Sequence, residues 1–77
     1  MMTMYTTTWC GFCARLKAGL SREGIEWDEV DIEQVEGAAE IVESANGGNR
    51  TVPTVVFDDG TALTNPTVAQ VKDKLAA

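Results

Sequence analysis

The stretch MYTTTWCGFC, residues 4–13, passes from a strand pattern to a helix pattern and holds both cysteines of the chain. The β-branched and aromatic residues from Thr3 to Thr7 predict a short strand. From Phe12 onward the spacing is helical, with one face formed by Cys13, Leu16, Lys17 and Leu20. We therefore expect Cys13 to face the core, and Cys10 to lie exposed at or before the first turn.

Two thiols one helical turn apart, at the junction between a strand and a helix, are well placed for thiol–disulfide exchange. A helix N-terminus carries about half a positive charge and favours the thiolate, which is the reactive form of cysteine. Cys10 is thus the predicted nucleophile. Cys13 is the second thiol, which either resolves mixed disulfides or serves mainly to support the structure.

Composition limits the classes of function. The 77 residues suffice for one domain, residues 1–77, and the net charge of −6 disfavours nucleic acid or an anionic membrane as partner. No apolar run approaches the roughly 18 residues of a membrane span, and no signal-peptide pattern precedes the first strand. We expect a cytoplasmic protein, and in that compartment a close cysteine pair is more often catalytic or metal-binding than structural.

The remaining elements follow from periodicity and turn residues. Gly24 ends the first helix. A strand at Ile25 to Ile32 and a helix from about Val35 to Ala45 follow, and Thr54–Phe57 and Thr61–Thr64 then form a hairpin. The last helix is opened by Asn65 as N-cap and by Pro66 at the first helical position. The order βαβαββα predicts an α/β fold whose first two strands are parallel, with the hairpin adding antiparallel strands.

The motifs WCGFC (9–13) and TVP (51–53), in this element order, resemble the thioredoxin/glutaredoxin superfamily. The short length favours the glutaredoxin branch, and WCGFC, NGGNRTVPT (46–54) and LTNP (63–66) together are similar to mycoredoxins. The resemblance implies a thioredoxin/glutaredoxin fold with a four-stranded mixed sheet flanked by three helices. It also implies a monomeric thiol–disulfide oxidoreductase with no tightly bound cofactor and no metal.

Mycoredoxins use mycothiol, a neutral sugar-linked thiol, as co-substrate, and the resemblance implies the same here. Cys10 alone would attack a protein–mycothiol disulfide at the mycothiol sulfur. A second mycothiol would then release Cys10 and depart as the oxidised dimer. A mycothiol disulfide reductase that uses NADPH would recycle this dimer, and the protein partners would be mycothiolated or disulfide-bonded proteins.

The candidate substrate-binding residues surround the two cysteines in the implied fold: Trp9, Gly11, Phe12, Arg15, Thr51, Val52, Pro53, Thr64 and Asn65. Physics alone favours a trans bond before Pro53, whereas the resemblance implies a cis bond that turns the Val52 N–H and C=O toward an extended ligand. Trp9 either shields the thiolate or packs under its loop. Thr64 and Asn65 provide no acid for the amino group of glutathione, and instead suit hydroxyls and amides; Asn65 can also cap the last helix.

Other functions remain open. The chain has no histidine and one cysteine pair, which disfavours a zinc site. A cluster-binding glutaredoxin would bridge an iron–sulfur cluster between two subunits. A small redoxin coupled to glutathione or thioredoxin reductase would donate electrons to ribonucleotide reductase or other proteins, but LTNPT departs from the segment typical of redoxins that serve that enzyme. The intact cysteine pair argues against an inert interaction module.

Overall fold

The computed structural model describes residues 1–76, and Ala77, the last residue of the predicted domain, lies outside the described residues. Seven elements follow one another in the predicted order, which confirms the βαβαββα pattern. They are β1 (Thr3–Thr6), α1 (Gly11–Arg22), β2 (Asp28–Asp31), α2 (Ala38–Ala45), β3 (Thr54–Val56), β4 (Ala62–Thr64) and α3 (Val68–Ala76).

The four strands form one mixed sheet in the order β2-β1-β3-β4. β1 and β2 are parallel, with Tyr5 opposite Val30, while β3 runs antiparallel to both β1 and β4. The parallel pair requires a crossover connection, which α1 supplies. The predicted mixed sheet is therefore confirmed, and β1, with the cysteine loop at its carboxyl end, lies in its interior.

The core lies between the sheet, α1 and α3. Its buried members are Met2, Met4, Leu16, Leu20, Val55, Phe57 and Val71, and Ile25, Trp27, Leu63 and Val68 pack against them. Full burial of one such side chain contributes about 1.5–3 kcal/mol. Leu16 and Leu20 anchor the face of α1 that also carries Cys13, so this packing sets the rotation of α1 and the depth of the second cysteine.

The second helix begins later than predicted. Gly37 precedes it with a φ of 85°, and the turn before it is held by the Asp31 carbonyl, which accepts hydrogen bonds from the backbone N–H groups of Gln34 and Val35. The helical spacing predicts an apolar stripe of Ala38, Ile41, Val42 and Ala45, and the structure confirms it in part. Ala38 and Val42 are buried, together with Ala39, whereas Ile41 and Ala45 are exposed.

The N-cap predicted for the last helix was wrong. Asn65 has a φ of 45°, in the left-handed region, and its N–H donates to the Pro53 carbonyl. α3 begins at Val68 and is capped by Thr67, whose Oγ1 accepts from the Gln70 N–H while the Gln70 side chain accepts from the Thr67 N–H. This reciprocal pair is a capping box. No helix among the described residues has the length and apolar character needed to cross a membrane.

Candidate active site

Cys10 occupies the N-cap position of α1. Its backbone is extended, with φ −84° and ψ 111°, and its sulfur accepts a hydrogen bond from the Cys13 N–H at 3.0 Å. An N-cap side chain satisfies an otherwise orphan N–H of the first turn. Here the capping atom is sulfur, so the helix start directs a backbone donor and the positive end of its dipole at the Cys10 sulfur.

The two sulfurs differ in their access to solvent. The Cα atoms of Cys10 and Cys13 are 5.2 Å apart, and the sulfurs lie at disulfide distance. Cys10 is half-buried, less open than the sequence predicted, whereas the buried position predicted for Cys13 is confirmed by its 1% exposure. A partner can therefore reach Cys10 first.

The loop before β3 borders Cys10. The Val52–Pro53 bond is cis, as the family resemblance implies, and the Val52 carbonyl oxygen lies 3.7 Å from Cys10 Sγ. Pro53 is buried, and its carbonyl accepts from the Asn65 N–H at 2.7 Å. The segment before α3 is thereby tied to the loop beside the cysteines.

Asn46, at the end of α2, is a residue that the sequence analysis assigned only to a loop. Its Nδ2 donates to the Thr51 carbonyl at 3.3 Å and to Thr54 Oγ1 at 3.0 Å, and its Oδ1 accepts from Thr64 Oγ1. The candidate residue Thr64 thus holds Asn46 through its hydroxyl. The Thr51 carbonyl accepts a second bond, from Thr54 Oγ1 at 2.7 Å, and this network supports the loop that carries Val52.

A groove that we call the Trp9 groove adjoins Cys10. It has a volume of about 490 Å³ and is lined by Thr7, Trp9, Ile32, Glu33, Ala39, Arg50 and Val52. Trp9 is 73% exposed, so its ring is not packed under the loop, one of the two roles considered for it. Its Nε1 instead donates to Glu33 Oε1 at 3.1 Å. Glu33 is a second site residue that the sequence analysis missed.

Two polar residues of the Trp9 groove have different surroundings. Thr7 is buried, and its Oγ1 has no hydrogen-bond partner within residues 1–76. Arg50 is exposed, and its Nε donates to Glu43 Oε2 at 2.7 Å. That hydrogen bond, together with the charges of Glu43 and Glu40, raises the pKa of the Arg50 guanidinium above its ordinary value.

A second groove, which we call the Phe12 groove, separates the start of α1 from the segment before α3. It has a volume of about 330 Å³ and is lined by Phe12, Arg15, Leu16, Asn65, Pro66, Thr67 and Val68. Phe12 is 58% exposed, and the Arg15 guanidinium lies 5.7 Å from the centre of its ring. Gly11 begins α1, and a Cβ there would meet nothing within 4 Å.

These positions bring the predicted residues together around Cys10 in two groups. Trp9 and Val52 line one groove, and Phe12, Arg15 and Asn65 line the other. Thr51 and Thr64 contact Asn46 instead of lining either groove. The arrangement presents one accessible sulfur at a helix N-terminus, and Trp9 and Phe12, which lie on either side of it in the sequence, line two separate grooves.

Comparison with known proteins places this geometry in a family. The sequence model of the family described as Glutaredoxin matches residues 2–61. A provisionally named glutaredoxin of Mycobacterium tuberculosis is 61% identical over 74 residues, which cover 96% of this chain and 88% of the relative. Mycoredoxin 1 of Corynebacterium glutamicum is 49% identical over 76 residues, which cover 99% of this chain and 94% of that protein.

A solved glutaredoxin structure has a similar fold. The crystal structure of a glutaredoxin from Archaeoglobus fulgidus superposes with a TM-score of 0.80 at 27% identity, covering 99% of this chain and 86% of that one. The cysteine pair at the start of α1 and the loop that bears Val52 both fall within the matched residues 2–61. The chain belongs to the glutaredoxin family.

Proposed function

We propose that this glutaredoxin reduces protein–mycothiol mixed disulfides in the cytoplasm, with Cys10 as nucleophile. The observation that carries the proposal is the Cys10 sulfur, which accepts the Cys13 N–H at the helix start while Cys13 itself is buried. The 49% identity to a mycoredoxin supports the choice of mycothiol.

The exchange runs in two displacements. The Cys10 thiolate attacks the mycothiol sulfur, a Cys10–mycothiol disulfide forms, and the protein thiolate leaves and takes a proton from solvent. The thiolate of a second mycothiol then attacks the mycothiol sulfur of that disulfide. The Cys10 thiolate leaves, and oxidised mycothiol dimer departs for reduction by an NADPH-dependent reductase. In each step one S–S bond forms and one breaks.

The residues of the Phe12 groove favour a thiol that bears hydroxyl and amide groups, such as mycothiol, over glutathione. No acid occurs at Thr64, Asn65 or Pro66 to meet a ligand ammonium. Since Thr67 caps α3, the Asn65 amide is not used as the helix cap and lies at the groove instead. An amide offers both donors and acceptors to sugar hydroxyls.

Two cysteine variants test the nucleophile. Cys10→Ser should abolish reduction of a mycothiol mixed disulfide, because a hydroxyl is a far weaker nucleophile than a thiolate. Cys13→Ser should retain measurable turnover, since the two displacements need one protein thiol. Rates are measured with mycothiol, its reductase and NADPH oxidation. Turnover by the Cys10→Ser protein would contradict the assignment of the nucleophile.

The choice of thiol is tested separately with matched mixed disulfides of one protein, one with mycothiol and one with glutathione. We expect the higher kcat/KM for the mycothiol substrate. A clear preference for glutathione would reject mycothiol as co-substrate and leave Cys10 as the nucleophile.

A further inference from the structure

A closed set of side-chain hydrogen bonds surrounds the loop that carries Val52. Thr54 is fully buried, and its Oγ1 accepts from Asn46 Nδ2 at 3.0 Å and donates to the Thr51 carbonyl at 2.7 Å. Asn46 Nδ2 also donates to the Thr51 carbonyl at 3.3 Å, and Asn46 Oδ1 accepts from Thr64 Oγ1. We call these residues the Asn46 clamp. The chain on both sides of Val52 is thus bound to one side chain at the end of α2.

The position of the Asn46 side chain is set by α2 and not by the loop that it holds. The Asn46 N–H donates to the carbonyls of Val42, at 3.0 Å, and Glu43, at 3.2 Å, so the residue closes the last turn of the helix. Val42 is fully buried and anchors that turn in the protein interior. The amide uses both its donors and its acceptor in the clamp, which fixes its orientation as well as its place.

Two backbone groups with opposite preferences face the Cys10 sulfur. The Cys13 N–H lies 3.0 Å away and favours the thiolate, because an N–H can only donate. The Val52 carbonyl lies 3.7 Å away and favours the thiol, whose S–H is a weak donor. The charged side chains that line the grooves on either side are Arg15, Glu33 and Arg50. None of them belongs to the Asn46 clamp, so a neutral substitution in the clamp does not change these charges.

We infer that Asn46 is a positioning residue for the exchange: it fixes the Val52 carbonyl beside the Cys10 sulfur and thereby sets the balance between thiol and thiolate. The inference rests on the proposed role of Cys10 as nucleophile. Release of the carbonyl removes the group that stabilises the thiol, so more of Cys10 is ionised at a given pH. The less basic thiolate that results is a weaker nucleophile and a better leaving group.

The test measures the rate of alkylation of Cys10 by iodoacetamide as a function of pH. It is done in a Cys13→Ser background, where Cys10 is the remaining thiol. In Asn46→Ala the midpoint of the profile should fall by about half a pH unit to one unit, the range of one lost hydrogen bond to the neutral form. The plateau at high pH should fall by about two- to threefold, because the nucleophilicity of a thiolate follows its basicity.

Asn49→Ala is the matched control, because it removes the same amide from the same loop. Asn49 Nδ2 donates to the backbone carbonyl of Asn46 at 3.4 Å, outside the side-chain bonds of the clamp. This variant should keep the midpoint and the plateau of its Cys13→Ser parent. Thr54→Val removes the hydroxyl at which two bonds of the clamp meet and should reproduce the shift of Asn46→Ala. The double variant should shift the midpoint no further than either substitution alone.

Thr64→Val is a milder variant at an exposed residue, and it carries the test if Asn46→Ala does not fold by circular dichroism. It removes one bond to Asn46 and should give a smaller shift in the same direction. A midpoint that stays at the parent value, or rises, in the folded variants would overturn the inference, whatever their loss of stability. Alkylation involves no mycothiol, so a failed mycothiol preference leaves this result unaffected. Turnover by Cys10→Ser would instead contradict the proposed function.

Discussion

At the scale of single residues, the start of α3 shows how one side chain determines where a helix begins. Asn65-Pro66 is a plausible helix opening, yet Asn65 adopts a left-handed conformation and donates its N–H to Pro53. Thr67 and Gln70 satisfy each other's N–H groups further along the chain. The later cap leaves the Asn65 side chain at the Phe12 groove.

Replacing Thr67 by Ala should therefore lower the free energy of unfolding by about 1 kcal/mol, because the Gln70 N–H loses its capping oxygen. Thr67→Ser keeps a hydroxyl and should cost much less. Asn65→Gly suits a positive φ and should have a small effect. Urea unfolding of the three variants checks the assignment, and a larger loss for Asn65→Gly than for Thr67→Ala would contradict it.

At the scale of elements, α1 and α3 approach closely at Gly19. This glycine is buried, and a Cβ there would lie 2.5 Å from Cγ2 of Val68. The contact needs a residue without a side chain, since Val68 is β-branched and stiff at χ1. Close packing here positions α3, and with it the segment that lines the Phe12 groove.

Gly19→Ala should destabilise the protein by about 1 kcal/mol, because overpacking of about 1–3 kcal/mol outweighs the roughly 1 kcal/mol gain in helix propensity. In the Gly19→Ala/Val68→Ala double variant, the removed methyls make room for the new Cβ. A double-mutant cycle from urea unfolding should show favourable coupling of about 1 kcal/mol. If the two changes in the free energy of unfolding are simply additive, α1 and α3 move apart at Gly19 without an energetic cost.

At the scale of the whole molecule, acids outnumber bases twelve to six, and several acids are held in their charged form. Hydrogen bonds from the Thr61 hydroxyl and backbone N–H, and from Lys74, lower the pKa of Asp59. The Lys72 ammonium lowers the pKa of Glu23. For Glu29, partial burial acts to raise the pKa, but hydrogen bonds from Lys17, Trp27 and Thr6 outweigh it and lower the pKa.

Stability should therefore fall as the pH drops below the ordinary carboxyl pKa values of 3.8 to 4.5, because there the unfolded chain binds more protons than the folded one. Asp59→Asn keeps the hydrogen-bond acceptor for Thr61 but cannot titrate. Its urea midpoint should decline less than that of the wild type between about pH 6 and about pH 3. Parallel declines would exclude Asp59 as a contributor to acid sensitivity.

Local signals in the sequence were sufficient to predict the order of the elements and the different exposure of the two cysteines. The β-branched and aromatic residues of β1, the 3.6-residue spacing in α1 and the short connection between the two hairpin strands are all features of neighbouring residues along the chain. Such signals predicted the buried position of Cys13, and Cys10 as the more accessible sulfur, without knowledge of any distant contact. The capping box at Thr67 was also readable, since its two residues are three positions apart.

The grooves around Cys10 depend instead on contacts between distant parts of the chain. Trp9 and Glu33 are 24 residues apart, and Asn46 and Thr64 are 18 apart, so no local pattern links either pair. The parallel pairing of β1 with β2 brings Glu33 to Trp9, and the packing of α2 beside the hairpin brings Asn46 to Thr64. Neighbouring residues in the sequence thus determine which sulfur is the more accessible. The tertiary structure determines which charged side chains surround that sulfur, because those side chains belong to separate elements that only the sheet brings together.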